Sequence, residues 1–116
     1  MAGNITLTMI KPRAVEKNQI GPILGIISEH GFRIKAMKLT KLSKLRAEQF
    51  YDVHRGKSFF ENLTSFMSSG PIVAVILERE DAVNEFRKLI GATNPDDAEE
   101  GTIRKLFAES MSHNAI

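Results

Sequence analysis

Lys11, Arg87 and Arg104 are the side chains whose types best suit chemistry on an anion: one ammonium acting as a point charge and two planar guanidinium forks that match phosphate oxygens. Lys11 stands at the end of an alternating apolar run, Arg87 inside a helical pattern and Arg104 beyond a long loop, so the three can converge on a polyphosphate. Spacing along the chain does not show that they do. Each alone reads as a solvated surface charge, because exposed Lys and Arg are the rule. The sequence contains neither GxxxxGK followed by Ser or Thr nor GxGxxG, so the two commonest backbone cradles for phosphate are absent and side chains must hold any such ligand. In the pair Phe59-Phe60, Phe60 shares helical spacing with Leu63 and Met67 and belongs to a core. That leaves the Phe59 ring free to stack on a base.

The remaining reactive groups are weaker candidates. His30 precedes Gly31 at the end of a helical pattern and His54 closes another, and the helix dipole accounts for a histidine at either place. His113 lies in a polar stretch and reads as a surface residue. With no cysteine, a thiol nucleophile, a disulfide framework and a cysteine zinc cluster are all excluded, and a reducing cytosol is permitted. Asp96, Asp97, Glu99 and Glu100 follow Asn94-Pro95, where consecutive acids form a solvated turn more often than a metal site. No converging set of further ligands accompanies them.

These residues must be positioned by the elements around them. The pattern predicts a strand over Ile5 to Ile10 ended by Pro12, then a helix burying Ile20, Ile23, Leu24 and Ile27 between Pro22 and Gly31. A second strand follows from Phe32, with its period broken at Ala36-Met37, where a bulge fits. Ser43 caps a helix expected to turn Ala47, Phe50 and Val53 inward, and a further helix over Phe60 to Met67 ends at Ser69-Gly70-Pro71. The unbroken run Ile72 to Leu77 reads as a central strand covered on both faces, and Asp81 opens a helix burying Val83, Phe86 and Ile90 before Gly91. This order predicts an α+β ferredoxin-like sandwich with helices on one face of an antiparallel sheet, lacking the final strand, in a single domain over 1–116. A net charge of +2 is too slight for bulk attraction to nucleic acid or an anionic membrane, so an anion site must be local. No apolar run is long enough for a membrane helix and the N-terminal segment lacks an export signal, so a cytoplasmic protein is expected.

The segments TMIKPRAVE, GFRIKAMKLT, FFENLTSFMSSGPIVAVILE and above all LIGATNPDDAEEGTIR resemble, in order and spacing, the nucleoside diphosphate kinase family over essentially the whole chain. The resemblance implies that Lys11, Arg87, Thr93 and Arg104 bind nucleotide phosphates, that Phe59 stacks on the base with Met111 packed near it, and that Asn114 contacts the sugar. Tyr51 would hydrogen-bond near the nucleophile, and the GATNPDDAEEG segment would be a nucleotide and subunit-contact loop. The implied reaction moves the terminal phosphate of ATP or another nucleoside triphosphate to a nucleoside diphosphate, ping-pong through a phosphohistidine, with Mg2+ bridging phosphate oxygens. A homo-oligomer is implied too. Stacking uses a face that every base has, so broad base acceptance is expected.

The family's phosphate-accepting histidine follows the stretch matched by Asn114-Ala115-Ile116 and is therefore expected as the next residue; His113 is not at that position. Arg13 stands where the family usually has an acid after IKP, and Ser58 where a proline commonly precedes the aromatic pair. An inactive nucleotide-binding or assembly protein of the same family is the alternative reading. An RNA-recognition module shares the element order but stacks bases on aromatics of a central strand, and Ile72 to Leu77 has none.

Overall fold

The computed structural model describes residues 3–111 and 113–116. The elements in order are β1 (Ile5–Ile10), α1 (Pro12–Glu16), α2 (Ile20–Glu29), β2 (Arg33–Thr40), α3 (Lys44–Phe50), α4 (Phe60–Met67), β3 (Ile72–Glu78), α5 (Ala82–Ile90) and α6 (Ile103–Phe107), with short 3-10 turns at Asp52–His54 and Pro95–Asp97. The three strands form one antiparallel sheet in the order β1-β3-β2. The all-aliphatic β3 is the central strand, as its composition predicts.

Register decides which side chains share a face. Val73 lies opposite Ile10 and Val75 opposite Thr8, so Val73, Val75, Leu77, Thr8 and Ile10 form one face. Against it pack Ile23 and Ile27 of α2 and Phe86 and Leu89 of α5, which build the main core with Phe32 and Ile103. Fully burying an aliphatic side chain of this size contributes about 1.5 to 3 kcal/mol, so this layer carries most of the fold's stability.

The antiparallel sheet with helices packed on it is the expected α+β ferredoxin-like sandwich, but the helices do not all lie on one face. Ile72 and Met9, on the opposite face, pack with Ala47 of α3 and Leu63, Phe66 and Met67 of α4, so those two helices cover one end of the second face. The other end of that face stays open, and Ile5, Leu7 and Ile76 remain exposed there. Within α3 only Ala47 turns inward. Phe50 is 51% exposed and Val53 82%, because the helix ends at Phe50 and the 3-10 turn that follows breaks the i, i+3, i+6 spacing. Ser43 does cap α3, its hydroxyl accepting a hydrogen bond from the Arg46 amide at 3.1 Å. The irregularity in β2 falls between Ile34 and Ala36, just before the place where the sequence period breaks.

Candidate active site

The end of β1 and the short helix α1 present Lys11. Pro12 occupies the first turn of α1 and needs no hydrogen-bond acceptor for a backbone amide, which lets strand and helix meet abruptly. The Lys11 backbone amide donates to the Ala115 carbonyl at 2.9 Å, pinning the C-terminal segment beside it. Arg104 lies in the first turn of α6, which Thr102 caps by accepting from the Lys105 amide. Its guanidinium bridges two carbonyls, Nη1 donating to Gly91 at 3.0 Å and Nη2 to Ile116 at 3.1 Å. Its Nε is buried with no partner, a donor that the protein itself leaves unused. Gly91 ends α5 at φ +88°, and a Cβ there would lie 2.6 Å from the Thr102 hydroxyl, so only glycine fits where α5 approaches the α6 cap.

Lys11, Tyr51, Arg87, Arg104 and Ile116 line one cavity of about 330 Å3, which runs along the free edge of β1 between α5 and the end of α3. The three cations, distant in sequence, therefore face one space, and no Asp or Glu side chain is among the described residues that line it. Burial first, and the positive charge of Arg104 second, pull the Lys11 ammonium down from 10.5 to about 8. Burial likewise lowers Arg104 from its ordinary value. It pushes the Tyr51 phenol up to about 12, so that hydroxyl remains a hydrogen-bond donor at neutral pH. A partly desolvated cluster of like charges with no acidic side chain beside it favours an anionic ligand that satisfies all of them at once.

A larger depression of about 670 Å3 lies at the other end of the sheet, and it offers no such imbalance, since Glu78 and Glu80 line it together with Arg33, Arg79 and His30. The candidate site is the smaller cavity because its charge is uncompensated.

The other expected residues lie around it at varying distance. The Phe59 ring is 44% exposed just ahead of α4. Its centroid is 5.3 Å from that of His54, which in turn is 6.4 Å from Tyr51, so an aromatic chain leads from the cavity to Phe59. Lys57 sits over the same ring at 5.8 Å. Thr93 is exposed, and its carbonyl accepts a 2.7 Å hydrogen bond from the Asn114 amide. Asn114 itself is buried, with its Oδ1 also accepting from the Ala115 amide, so it latches the C-terminal segment to the 91–94 loop. Met111 is exposed on that segment. His54, beside Tyr51, and the carbonyls of Gly91 and Ile116 that hold Arg104 are supports of the site that spacing does not reveal. FYDVH contains His54 three residues beyond Tyr51, a spacing that one turn of helix converts into proximity.

The nucleoside diphosphate kinase family model matches residues 4–116. The nucleoside diphosphate kinase of Flavobacterium psychrophilum is 55% identical over 116 residues, which is all of this chain and 84% of that protein. That of Salinibacter ruber is 52% identical over the same span, 82% of its length. Among solved structures, Aquifex aeolicus nucleoside diphosphate kinase superposes with a TM-score of 0.94 at 42% identity, covering 97% of this chain and 82% of that one. The halophilic enzyme from Halobacterium salinarum, in complex with CDP, gives 0.91 at 35% identity, covering 94% and 72%. The chain belongs to the nucleoside diphosphate kinase family, phosphotransferases that move the terminal phosphate of a nucleoside triphosphate onto a nucleoside diphosphate.

Proposed function

We propose that the cavity holding Lys11, Arg87 and Arg104 binds the polyphosphate of nucleoside di- and triphosphates, and that one observation carries this reading: three cationic side chains and no acidic side chain are among the described residues that line it. Lys11 and the remaining Nη hydrogens of Arg104 would meet phosphate oxygens directly. The Arg87 side chain, exposed on α5 and with no hydrogen bond or ion pair to any described residue, is free to swing onto the outer phosphate. Thr93 would donate its hydroxyl to a phosphate, Phe59 would stack on the base with Met111 beside it, and Asn114 would contact the sugar while holding the 91–94 loop in place. Phosphoryl transfer asks for charge stabilisation and alignment, which this set supplies, with the Tyr51 hydroxyl near the nucleophile. The phosphate-accepting histidine belongs at the position after Ile116, whose carbonyl Arg104 already fixes.

Magnesium fits this scheme only as the nucleotide's own companion. No group of three or more His, Cys, Asp or Glu able to hold a metal occurs among the described residues, so its ligands would be phosphate oxygens and water. The reading extends to a homo-oligomer, supported by the edge strand β2 with Met37 and Leu39 more than half exposed, and to a cytoplasmic single domain over 1–116. The test is calorimetric titration of the chain with ADP and CDP. Both should bind within a few-fold of one another, and affinity should fall as salt rises. Binding that survives Lys11→Ala and Arg104→Ala unchanged would overturn the assignment.

A further inference from the structure

The segment from Ala108 to Ile116 contains no helix or strand among its described residues, yet it delivers Asn114 and the Ile116 carbonyl to the site. Its far end is tied by the Lys11 amide, the Arg104 guanidinium and the Thr93 carbonyl. Its near end is tied by a charge cluster outside the cavity. The Glu109 carboxylate accepts from Arg13 Nε at 2.9 Å and pairs through the same oxygen with the Lys17 ammonium, while Arg13 Nη1 also reaches Glu16 at 3.2 Å. Arg13 and Lys11 are two residues apart at the start of α1, so that helix grips the segment at both ends: by backbone at Ala115 and by side chain at Glu109.

We propose that Arg13 is a positioning residue, which through Glu109 straps the 108–116 segment onto α1 and so sets the placement of Asn114 and the Ile116 carbonyl at the nucleotide site. This rests on the nucleotide-binding reading above. The geometry separates it from the simplest alternative, in which Arg13 merely adds positive charge near Lys11 and draws in phosphate. Its guanidinium points at carboxylates 3 and 96 residues away in sequence, not into the cavity. The two mechanisms also predict opposite effects of removing the acid. If Arg13 acts by charge alone, Glu109→Gln frees two cations and tightens nucleotide binding; if it acts as a strap, the same change weakens binding.

The experiment is ADP titration of the 116-residue chain and its Arg13→Ala, Arg13→Lys, Glu109→Gln and Arg13→Ala/Glu109→Gln variants, with Lys11→Ala as reference. Strapping predicts that Arg13→Ala and Glu109→Gln each weaken ADP binding about 2- to 5-fold, the range of a partly exposed ion-pair network. It also predicts that the double variant is no worse than either single one and that Arg13→Lys restores most of the loss. Amide hydrogen exchange should quicken at Lys11 and stay unchanged in β3, a local signature that general destabilisation does not produce. Tighter binding by Glu109→Gln, or unchanged affinity in both single variants, overturns the proposal. If Lys11→Ala leaves ADP affinity intact, it is the nucleotide-site reading that fails, and the exchange at Lys11 still reports whether the strap exists.

Discussion

The two ends of the sheet carry similar numbers of cations and treat them differently. At the Glu78 end, Arg79 donates to the His30 carbonyl at 2.8 Å and lies 5.1 Å over the Phe32 ring, while Lys35 pairs with Glu78. The depression at that end is lined by Glu78 and Glu80 as well as by Arg33 and Arg79, so acidic and basic side chains share it. At the Lys11 end the protein buries an ammonium with no acidic side chain in the described lining, leaves a guanidinium Nε without an acceptor and sets a third cation at the rim. Burying unpaired charge is unfavourable, so a fold retains it only where a ligand recovers the loss. Surface cations are therefore poor evidence of function, and cations held away from every carboxylate are good evidence.

The sharpest way to break this contrast is to remove charge at each end. Lys11→Ala or Arg104→Ala should each weaken ADP binding by about 10- to 150-fold, the range for one charge-assisted hydrogen bond of about 1.5 to 3 kcal/mol. Arg79→Ala should change it less than about 2-fold, as expected of a charge outside the site, held by a backbone carbonyl and a ring. Isothermal titration of the three variants decides the matter. Comparable losses at both ends would mean that the cations act as a general field and not as a site.

Phe59 extends the contrast from charge to stacking. Its exposed ring adjoins His54 and Lys57, so Phe59→Ala should cost about 1 to 3 kcal/mol of affinity, and equally for ADP and CDP. A loss confined to one base would replace stacking with base-edge recognition.

Gly91 tests the scaffold under the charged end. Its φ of +88° is strained for any residue with a Cβ, and that Cβ would press on the Thr102 hydroxyl that caps α6. Gly91→Ala should destabilise the chain by about 1 to 3 kcal/mol. It should also weaken ADP binding, because the Gly91 carbonyl helps to orient Arg104. Alanine at Gly31, also at positive φ but with nothing within 4 Å, should cost less. Thermal unfolding of the pair separates backbone strain from the close approach.

Local signals made much of this legible. The aliphatic run in β3, the Ser43 cap and the glycine closing α5 are each determined by neighbours in sequence, and all three stand in the structure. Lys11, Arg87 and Arg104 stand out in the sequence by type and by the motifs around them, and they share a cavity. The failures lie where distant contacts decide. Phe50 and Val53 kept helical spacing on paper, but α3 gives way to a 3-10 turn between them. The 108–116 segment has no periodicity to read, since its partners are Arg13, Lys11, Thr93 and Arg104, and Asn114 therefore gave no sign that it is buried.

The subtlest consequence of the contrast is a pH dependence confined to the charged end. The folded Lys11 ammonium titrates at about 8, below its ordinary 10.5, so between those values the unfolded chain binds more protons than the folded one. Stability must therefore rise with pH across that window, by up to about 1.4 kcal/mol per pH unit. Below about 8 the lysine is charged in both states and its burial penalty is fully present. Nucleotide affinity runs the other way, because phosphate prefers the ammonium: it should be flat below about 8 and fall above it by up to about tenfold per pH unit. Tyr51 does not interfere, since its phenol is held near 12. Thermal midpoints and ADP titrations from pH 7 to 10, compared between the parent chain and Lys11→Met, isolate the effect from all other groups. Opposed trends in stability and affinity, both abolished by the methionine, are expected. Parallel trends, or a difference that does not vary with pH, would show that Lys11 keeps its ordinary pKa and that the charged end of the sheet is no more desolvated than the balanced one.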